Sequence, residues 1–165
     1  TFVRENAENV HAHLFEPIYA VEKISEEIKK EERGKRPLPE HYESWEKMLA
    51  WVEPRTRELV KLVEDKIVGT CNDVIKEIHG KYCYFYKGKP SPRSRFAVVY
   101  LTKSYPRVVI RTDPKTFKDP ERLTGDTVLK GWFFKPDQER AFSILEDGQM
   151  NYAMELIKQS YGLAK

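Results

Sequence analysis

The chain has few cysteines and no long apolar run. It contains two cysteines among 165 residues, Cys71 and Cys83, and they lack the Cys-x-x-Cys spacing of many metal and redox sites. Two isolated thiols indicate a reduced, intracellular protein rather than a disulfide-stabilised one. No apolar run approaches the roughly 20 residues that cross a bilayer, and no signal-type segment opens the chain. We therefore expect a cytoplasmic protein with no membrane partner.

The sequence also lacks the motifs of common catalytic folds. It has no Gly-x-Gly-x-x-Gly, no phosphate-binding loop with Gly-Lys-Ser/Thr and no Gly-x-Ser-x-Gly. Asp137 and Glu139 open a predicted strand, but no Glu-x-Lys of a metal-dependent nuclease follows them. His11 and His13 are two apart on a predicted helix, so their rings point in different directions. We predict no catalytic residues, no metal and no cofactor, and hence not an enzyme.

Positive charge is concentrated in the middle of the chain. Residues 1–78 carry 13 basic and 17 acidic side chains, and residues 119–165 carry 6 and 8. The forty residues between them, His79 to Lys118, carry 10 basic side chains and one acidic one, Asp113. A local net charge of +9 in a chain of net charge +3 favours a polyanionic partner or an anionic ligand.

Helical spacing dominates the first half of the chain. Apolar residues at intervals of three and four predict helices within Val3–Arg33 and from Pro39 to Val52. Pro54 should begin a third helix, whose apolar stripe runs through Gly69 to Ile78 before His79-Gly80 ends it. We expect residues 1–53 to form a helical extension or connector and residues 54–165 to form the main domain.

Strand-like composition follows Gly80. β-Branched and aromatic residues predict three strands, at Tyr82–Lys87, Arg95–Thr102 and Arg107–Thr112. Two further strands are predicted at Thr127–Phe134 and Glu139–Leu145, and then a helix capped by Asp147 that ends near Gly162. This order predicts an α+β fold: N-terminal helices, a mostly antiparallel sheet of four to five strands and a C-terminal helix.

Alternate residues of two predicted strands suggest a binding surface. Tyr82, Tyr84 and Tyr86 share one face of their strand, and Arg107 and Arg111 share a face of theirs. Exposed tyrosines can stack on bases while arginines hold phosphates. The predicted nucleic-acid-binding residues are Lys87, Lys89, Arg93, Arg95, Arg107, Arg111, Tyr84 and Tyr86. A structural alternative is that the tyrosines lie half-buried beneath the long helices and the arginines keep the outer face soluble.

The second half of the chain resembles a known family. The segments KYCYFYK, RFAVVYL, RVVIRTDP, DPERLTGDTVLKGW, ERAFSILED and YAMELIKQSYG are similar, in this order, to an uncharacterised family labelled predicted transport protein. The resemblance covers about Arg57 to Gly162. It implies a non-catalytic accessory domain at the carboxy end of a DNA-acting or defence protein, behind a nuclease-like or restriction-type (ParB-like or HNH) domain of the same chain. The family brings no established site residues.

Three functional hypotheses remain open. The first is an accessory domain that binds nucleic acid through the basic, aromatic sheet and hairpin loop. The second is a protein-interaction module in which the helices before Val52 form a homo-oligomer. The third is a pocket for a small anionic ligand, such as a modified base or nucleotide, built from Trp132, Tyr100 and Arg111.

Overall fold

The computed structural model describes residues 38–125 and 131–165. The helices expected within Val3–Arg33 lie outside these residues. Pro39–Lys165 form one compact unit. Its first 15 residues, up to Glu53, are those that we expected to belong to a connector, so the unit begins earlier in the chain than the predicted main domain.

Two helices precede the sheet in this unit. A 3-10 turn, Glu40–Tyr42, leads to α1, Trp45–Trp51, so the helix predicted from Pro39 is divided in two. Ser44 divides it because its side chain accepts a hydrogen bond from the Lys47 amide (3.2 Å) and caps α1. Helix α2, Pro54–Val68, begins at the proline predicted to start it.

The prediction that this helix continues to Ile78 is wrong. Helix α2 ends at Val68, and Val74–His79 form the first strand, β1. The error arose from the spacing of Val74 and Ile78. Two residues four apart lie on one side of a helix, and they also lie on one face of a strand. A two-residue turn at Gly80, whose φ is 57°, then pairs β1 with the next strand over six residues. Glycine adopts this positive φ without strain.

The sheet has five strands in the described residues. After β1 come β2, Tyr82–Lys87, β3, Arg95–Leu101, β4, Pro106–Arg111, and β5, Glu139–Ser143. They pair antiparallel in chain order. The strand predicted at Thr127–Phe134 falls partly outside the described residues, and its described part, Gly131–Phe134, forms turns instead.

The chain closes with helix α3, Met150–Leu163. A 3-10 turn, Asp147–Gln149, precedes it, and the cap of this turn is Glu146 rather than the predicted Asp147. Glu146 and Gln149 exchange side-chain hydrogen bonds with each other's backbone in a capping box. The α+β prediction is confirmed: helices come first, then an antiparallel sheet, then a helix.

The helices cover one face of the sheet. Side chains from all three helices and the inward face of the strands form the main core, which includes Met48, Leu59, Ile67, Phe85, Val99, Val108, Ile110, Phe142 and Ile157. Ser160 of α3 fixes the helix to the sheet, since its hydroxyl donates to the Phe96 carbonyl (2.5 Å) and accepts from the Arg111 amide (2.9 Å). Within the described ranges, no helix is both long enough and apolar enough to cross a bilayer.

Candidate anion-binding pocket

The sheet face opposite the helices, here called the open face, carries the tyrosines. Tyr82, Tyr84 and Tyr100 are half-buried there, and they pack with Val98 and other apolar residues in a second, smaller core. The structural alternative placed these rings beneath the long helices. They lie instead on the opposite face, because strand alternation turns Cys83 and Phe85 toward the helices and the even-numbered tyrosines away from them.

A tight turn, residues 131–136, covers part of the open face. Gly131 has a φ of 82°, and a Cβ at this position would lie 2.9 Å from the Pro136 side chain. Glycine is therefore required on both conformational and steric grounds. The turn places Phe133 against the tyrosines, with its ring centroid 5.2 Å from that of Tyr82 and 6.2 Å from that of Tyr84.

The side chain of Glu139 binds the backbone of this turn. Its carboxylate accepts hydrogen bonds from the backbone amides of Phe133 (3.0 Å) and Phe134 (2.9 Å), and the residue is 4% exposed. Glu139 is one of the two acids considered above for a nuclease core. The structure gives it a structural contact instead, because both amides are bound to one carboxylate oxygen.

Two arginines project from neighbouring strands beside the turn. The Arg95 guanidinium donates to the Phe133 carbonyl and lies over the rings of Tyr84 and Phe134, 5.1 and 5.6 Å from their centroids. The Arg111 guanidinium donates to the carbonyls of Pro92 (2.6 Å) and Arg93 (2.8 Å) and lies 5.2 Å from the Phe134 centroid. These contacts fix the positions of both charges.

The turn and the arginines line an open cavity of about 560 Å³, here called the arginine pocket. Its walls are Pro92, Arg93, Arg95, Arg111, Gly131, Trp132, Phe133, Phe134, Lys135, Pro136 and Gln138. Cavities of this size hold small organic ligands. Trp132 stands at the rim with 64% of its surface exposed, so a large aromatic surface is available beside the charges.

The electrostatics of the arginine pocket favour an anion. Its described lining includes four cationic side chains, Arg93, Arg95, Arg111 and Lys135, and no acidic one. Burial, and then the neighbouring charge of Arg95, lowers the pKa of Arg111. Two guanidinium groups thus repel one another in a partly desolvated site, and a bound anion would relieve that repulsion.

The predicted binding residues fall into two groups. Arg93, Arg95 and Arg111 converge on the arginine pocket. The others do not line it: Arg107 lies on the open face between Tyr100 and Ser143 in the strand register, and Lys89 is exposed in its loop. Lys87 turns toward the helical side, with its ammonium 4.7 Å from the Tyr161 ring centroid.

The predicted stacking tyrosines are also outside the pocket. Tyr86 is 7% exposed, and Tyr84 is half-buried between Arg95 and Phe133. Of the three residues proposed for a ligand pocket, Trp132 and Arg111 line the same cavity and Tyr100 lines another. The sequence reading missed Lys135 and Gln138. Pro136, which follows a Gly-Trp-Phe-Phe-Lys run, was the available signal that this stretch turns.

The described lining of the arginine pocket contains no His, Cys, Asp or Glu. Within residues 38–125 and 131–165, no group of three or more His, Cys, Asp or Glu is placed to hold a metal ion. Cys83 is fully buried, and burial, with the nearby Glu64 carboxylate, raises the pKa of its thiol. A thiol in this environment is a packing group.

Comparisons of the chain with family models, with curated proteins and with solved structures found no match. The resemblance described above therefore stays a prediction, and the functional argument depends on the site itself.

Proposed function

We propose that this is a non-catalytic accessory domain that binds nucleic acid, and that the arginine pocket receives a phosphate of the bound strand together with its neighbouring base. The observation that carries the proposal is the convergence of four cationic side chains beside the exposed ring of Trp132. The described lining contains no acidic residue, and the buried Glu139 carboxylate behind the turn accepts hydrogen bonds from two backbone amides. The resemblance noted above extends the proposal: the domain would serve a larger DNA-acting or restriction-type defence protein.

The chemistry of the pocket matches the two parts of a nucleotide. Arginine binds phosphate through several parallel donors, and its charge does not depend on pH in the physiological range. The guanidinium groups of Arg95 and Arg111 are already oriented by backbone carbonyls, so little side-chain entropy is lost when they bind. An exposed tryptophan offers a base a stacking surface that does not depend on its identity.

Arg93 and Lys135 are the best residues to change in a test. Both are exposed. Arg95 and Arg111 are less suitable, because Arg95 donates a hydrogen bond to the turn and Arg111 donates two to the loop before β3. We expect the Arg93→Gln/Lys135→Gln double variant to bind a labelled single-stranded oligonucleotide more weakly in fluorescence anisotropy. Removing two phosphate contacts should also reduce the slope of log K against log salt by about 1.4.

The control is Lys61→Gln/Lys158→Gln, which removes the same charge from exposed positions on helices α2 and α3. Because these helices cover the other face of the sheet, we expect a nearly unchanged slope. Equal effects of the two double variants would mean that binding follows net charge alone, and the arginine pocket would then not be the site.

A pocket for a small anionic ligand is the second candidate, favoured by the cavity volume of about 560 Å³, which lies in the range of small-ligand sites. Under that hypothesis a free nucleotide should bind as tightly as an oligonucleotide, since the pocket would make every contact. Under the proposed function the oligonucleotide should bind more tightly, because its flanking phosphates reach cations outside the pocket, such as Lys89 and Arg107.

A further inference from the structure

A second cavity lies between helix α1, which contributes Met48 and Trp51, and the open-face residues Tyr82 and Tyr100. It has a volume of about 260 Å³, and its walls include Tyr42, Trp51, Tyr82, Tyr100, Lys81 and Lys103. We call it the tyrosine pocket. Like the arginine pocket it combines aromatic rings with cations, and its described lining includes no acidic side chain.

Two tyrosine rings position the Lys81 ammonium group in the tyrosine pocket. The Lys81 ammonium lies 4.1 Å from the Tyr42 ring centroid and 5.5 Å from that of Tyr82. A cation–π contact positions an ammonium group without neutralising it, so the charge stays available to an anion. The same charge argues against a cationic ligand, although aromatic cages often bind one.

The rings of this pocket are preorganised for stacking. Trp51 already stacks in parallel on His41, with ring centroids 4.0 Å apart and an angle of 4° between the planes. Tyr82 and Tyr100 stand edge to face, 6.3 Å apart. Rings fixed by their neighbours lose little conformational freedom when a flat ligand joins them.

One aromatic cluster links the two pockets. Tyr82 lines the tyrosine pocket, Phe133 lines the arginine pocket, and their ring centroids are 5.2 Å apart. A strand that left one pocket across these two rings would thus arrive at the other. Each pocket offers what one nucleotide requires, an aromatic surface for the base and cations for the phosphate.

We propose that the tyrosine pocket is a second nucleotide subsite and that one single nucleic-acid strand crosses the open face from one pocket to the other. This inference rests on the proposed function and deepens it, since it makes single strands the preferred ligand. In a duplex the bases are paired and stacked on each other, so they cannot enter both pockets.

The test compares two ligands. Thymidine monophosphate can fill one pocket, whereas an oligothymidylate of about eight nucleotides, within the range of single-strand sites, can reach both. We expect Lys81→Gln/Lys103→Gln to weaken oligothymidylate binding and to reduce its salt slope by about 1.4. The variant should lose mononucleotide binding at the tyrosine pocket only, and its affinity for the mononucleotide at the arginine pocket should not change. Lys61→Gln/Lys158→Gln again serves as the charge-matched control.

A second variant tests stacking without a change of charge. Tyr100→Leu keeps an apolar side chain but removes the ring. We expect it to bind oligothymidylate roughly five- to 150-fold more weakly, the range for one lost base stack, with an unchanged salt slope. Thermal melting of both variants would establish that they are folded before affinities are compared.

The outcomes separate the two proposals. If Lys81→Gln/Lys103→Gln and Tyr100→Leu both bind oligothymidylate as the unmodified protein does, the second subsite is overturned. If only Arg93→Gln/Lys135→Gln then binds more weakly, the proposed function is still supported. Loss in the tyrosine-pocket variants together with no effect of Arg93→Gln/Lys135→Gln would support the subsite and contradict the assignment of the arginine pocket. Absence of oligothymidylate binding at low salt by the unmodified protein would overturn both.

Discussion

The two faces of the sheet differ in how far their aromatic side chains are exposed to solvent. On the helix-covered face, Phe85 and Ile110 are completely buried. On the open face, Tyr84 and Tyr100 are half-buried, and they are covered by a turn and by arginine side chains instead of helices. Both faces come from the same five strands, so the difference lies in alternate residues along each strand.

The comparison indicates that the covered face mainly stabilises the fold, whereas the open face leaves side chains available for binding. Apolar side chains on the covered face need only a close-packed neighbour. Tyrosine and arginine can pack through their apolar parts while their polar ends stay available. The arginine pocket lies on the open face, and the tyrosine pocket lies where this face meets helix α1. The predictions below test this division, in order of decreasing effect on stability.

The largest effect is expected for Phe85→Ala. Phe85 is fully buried on the covered face, and truncation of such a residue costs about 3–5 kcal/mol of unfolding free energy. Tyr84→Ala is the matched control, since it removes a ring one residue earlier on the open face, and it should cost clearly less. Denaturant unfolding measures both. Equal losses would mean that the two faces do not differ in their contribution to stability.

A smaller loss is expected for Glu139→Ala. The change leaves the amides of Phe133 and Phe134 without their carboxylate acceptor, at a cost of about 1–3 kcal/mol. Asp137→Ala is the control, since Asp137 is an exposed acid two residues earlier, and its effect should be near zero. If Glu139→Ala melts like the unmodified protein, the turn over the open face does not depend on this carboxylate.

The strands of the open face were largely predictable from sequence. The predicted strand Tyr82–Lys87 has the same bounds as β2. The predicted strand Arg95–Thr102 ends one residue later than β3, and the predicted strand Arg107–Thr112 begins and ends one residue later than β4. Their aromatic and β-branched composition leaves little ambiguity. Arg95 and Arg111 are therefore both among the predicted binding residues, whereas their proximity follows only from the strand order of the structure.

The features that sequence reasoning missed depend on contacts between distant segments. Strand β1 was read as helix because the spacing of Val74 and Ile78 suits both structures, and only pairing with β2 decides between them. The turn at residues 131–136 binds the buried carboxylate of Glu139 through two backbone amides. Without that contact, Trp132 and Phe133 have the composition of a strand. The sequence therefore suggested a ligand pocket with Trp132 and Arg111 but wrongly included Tyr100 and missed the turn that forms its wall.

The pH dependence of stability should reveal the half-buried tyrosines. Burial is the largest cause that raises the pKa of Tyr82, Tyr84 and Tyr100. The unfolded chain ionises its tyrosines near pH 10, whereas the folded chain keeps these protons to higher pH. Their contribution to stability is thus fully present below about pH 10 and is lost as pH rises through the folded-state pKa values.

Thermal melting and tyrosinate absorbance, both followed from neutral to alkaline pH, measure this effect. We expect the native protein to ionise these tyrosines later than the denatured chain. The Tyr84→Phe/Tyr100→Phe variant cannot ionise at either position, so its stability should fall less steeply above pH 10. If the native and denatured proteins gave the same titration curve, the tyrosines of the open face would be as exposed to solvent as in the unfolded chain.

The smallest effect on stability is expected at the rim of the arginine pocket. Trp132 is 64% exposed, whereas its neighbour Phe133 is 6% exposed and packs on Tyr82. Trp132→Ala should change the unfolding free energy by no more than about 0.5 kcal/mol, as is usual for surface positions, and Phe133→Ala should cost several times more. Binding should nevertheless weaken in Trp132→Ala by about 1–3 kcal/mol if a base stacks there. Anisotropy and denaturant unfolding of the two variants separate these effects. Unaltered oligonucleotide affinity in a stable Trp132→Ala protein would leave the pocket with a phosphate site but no base site.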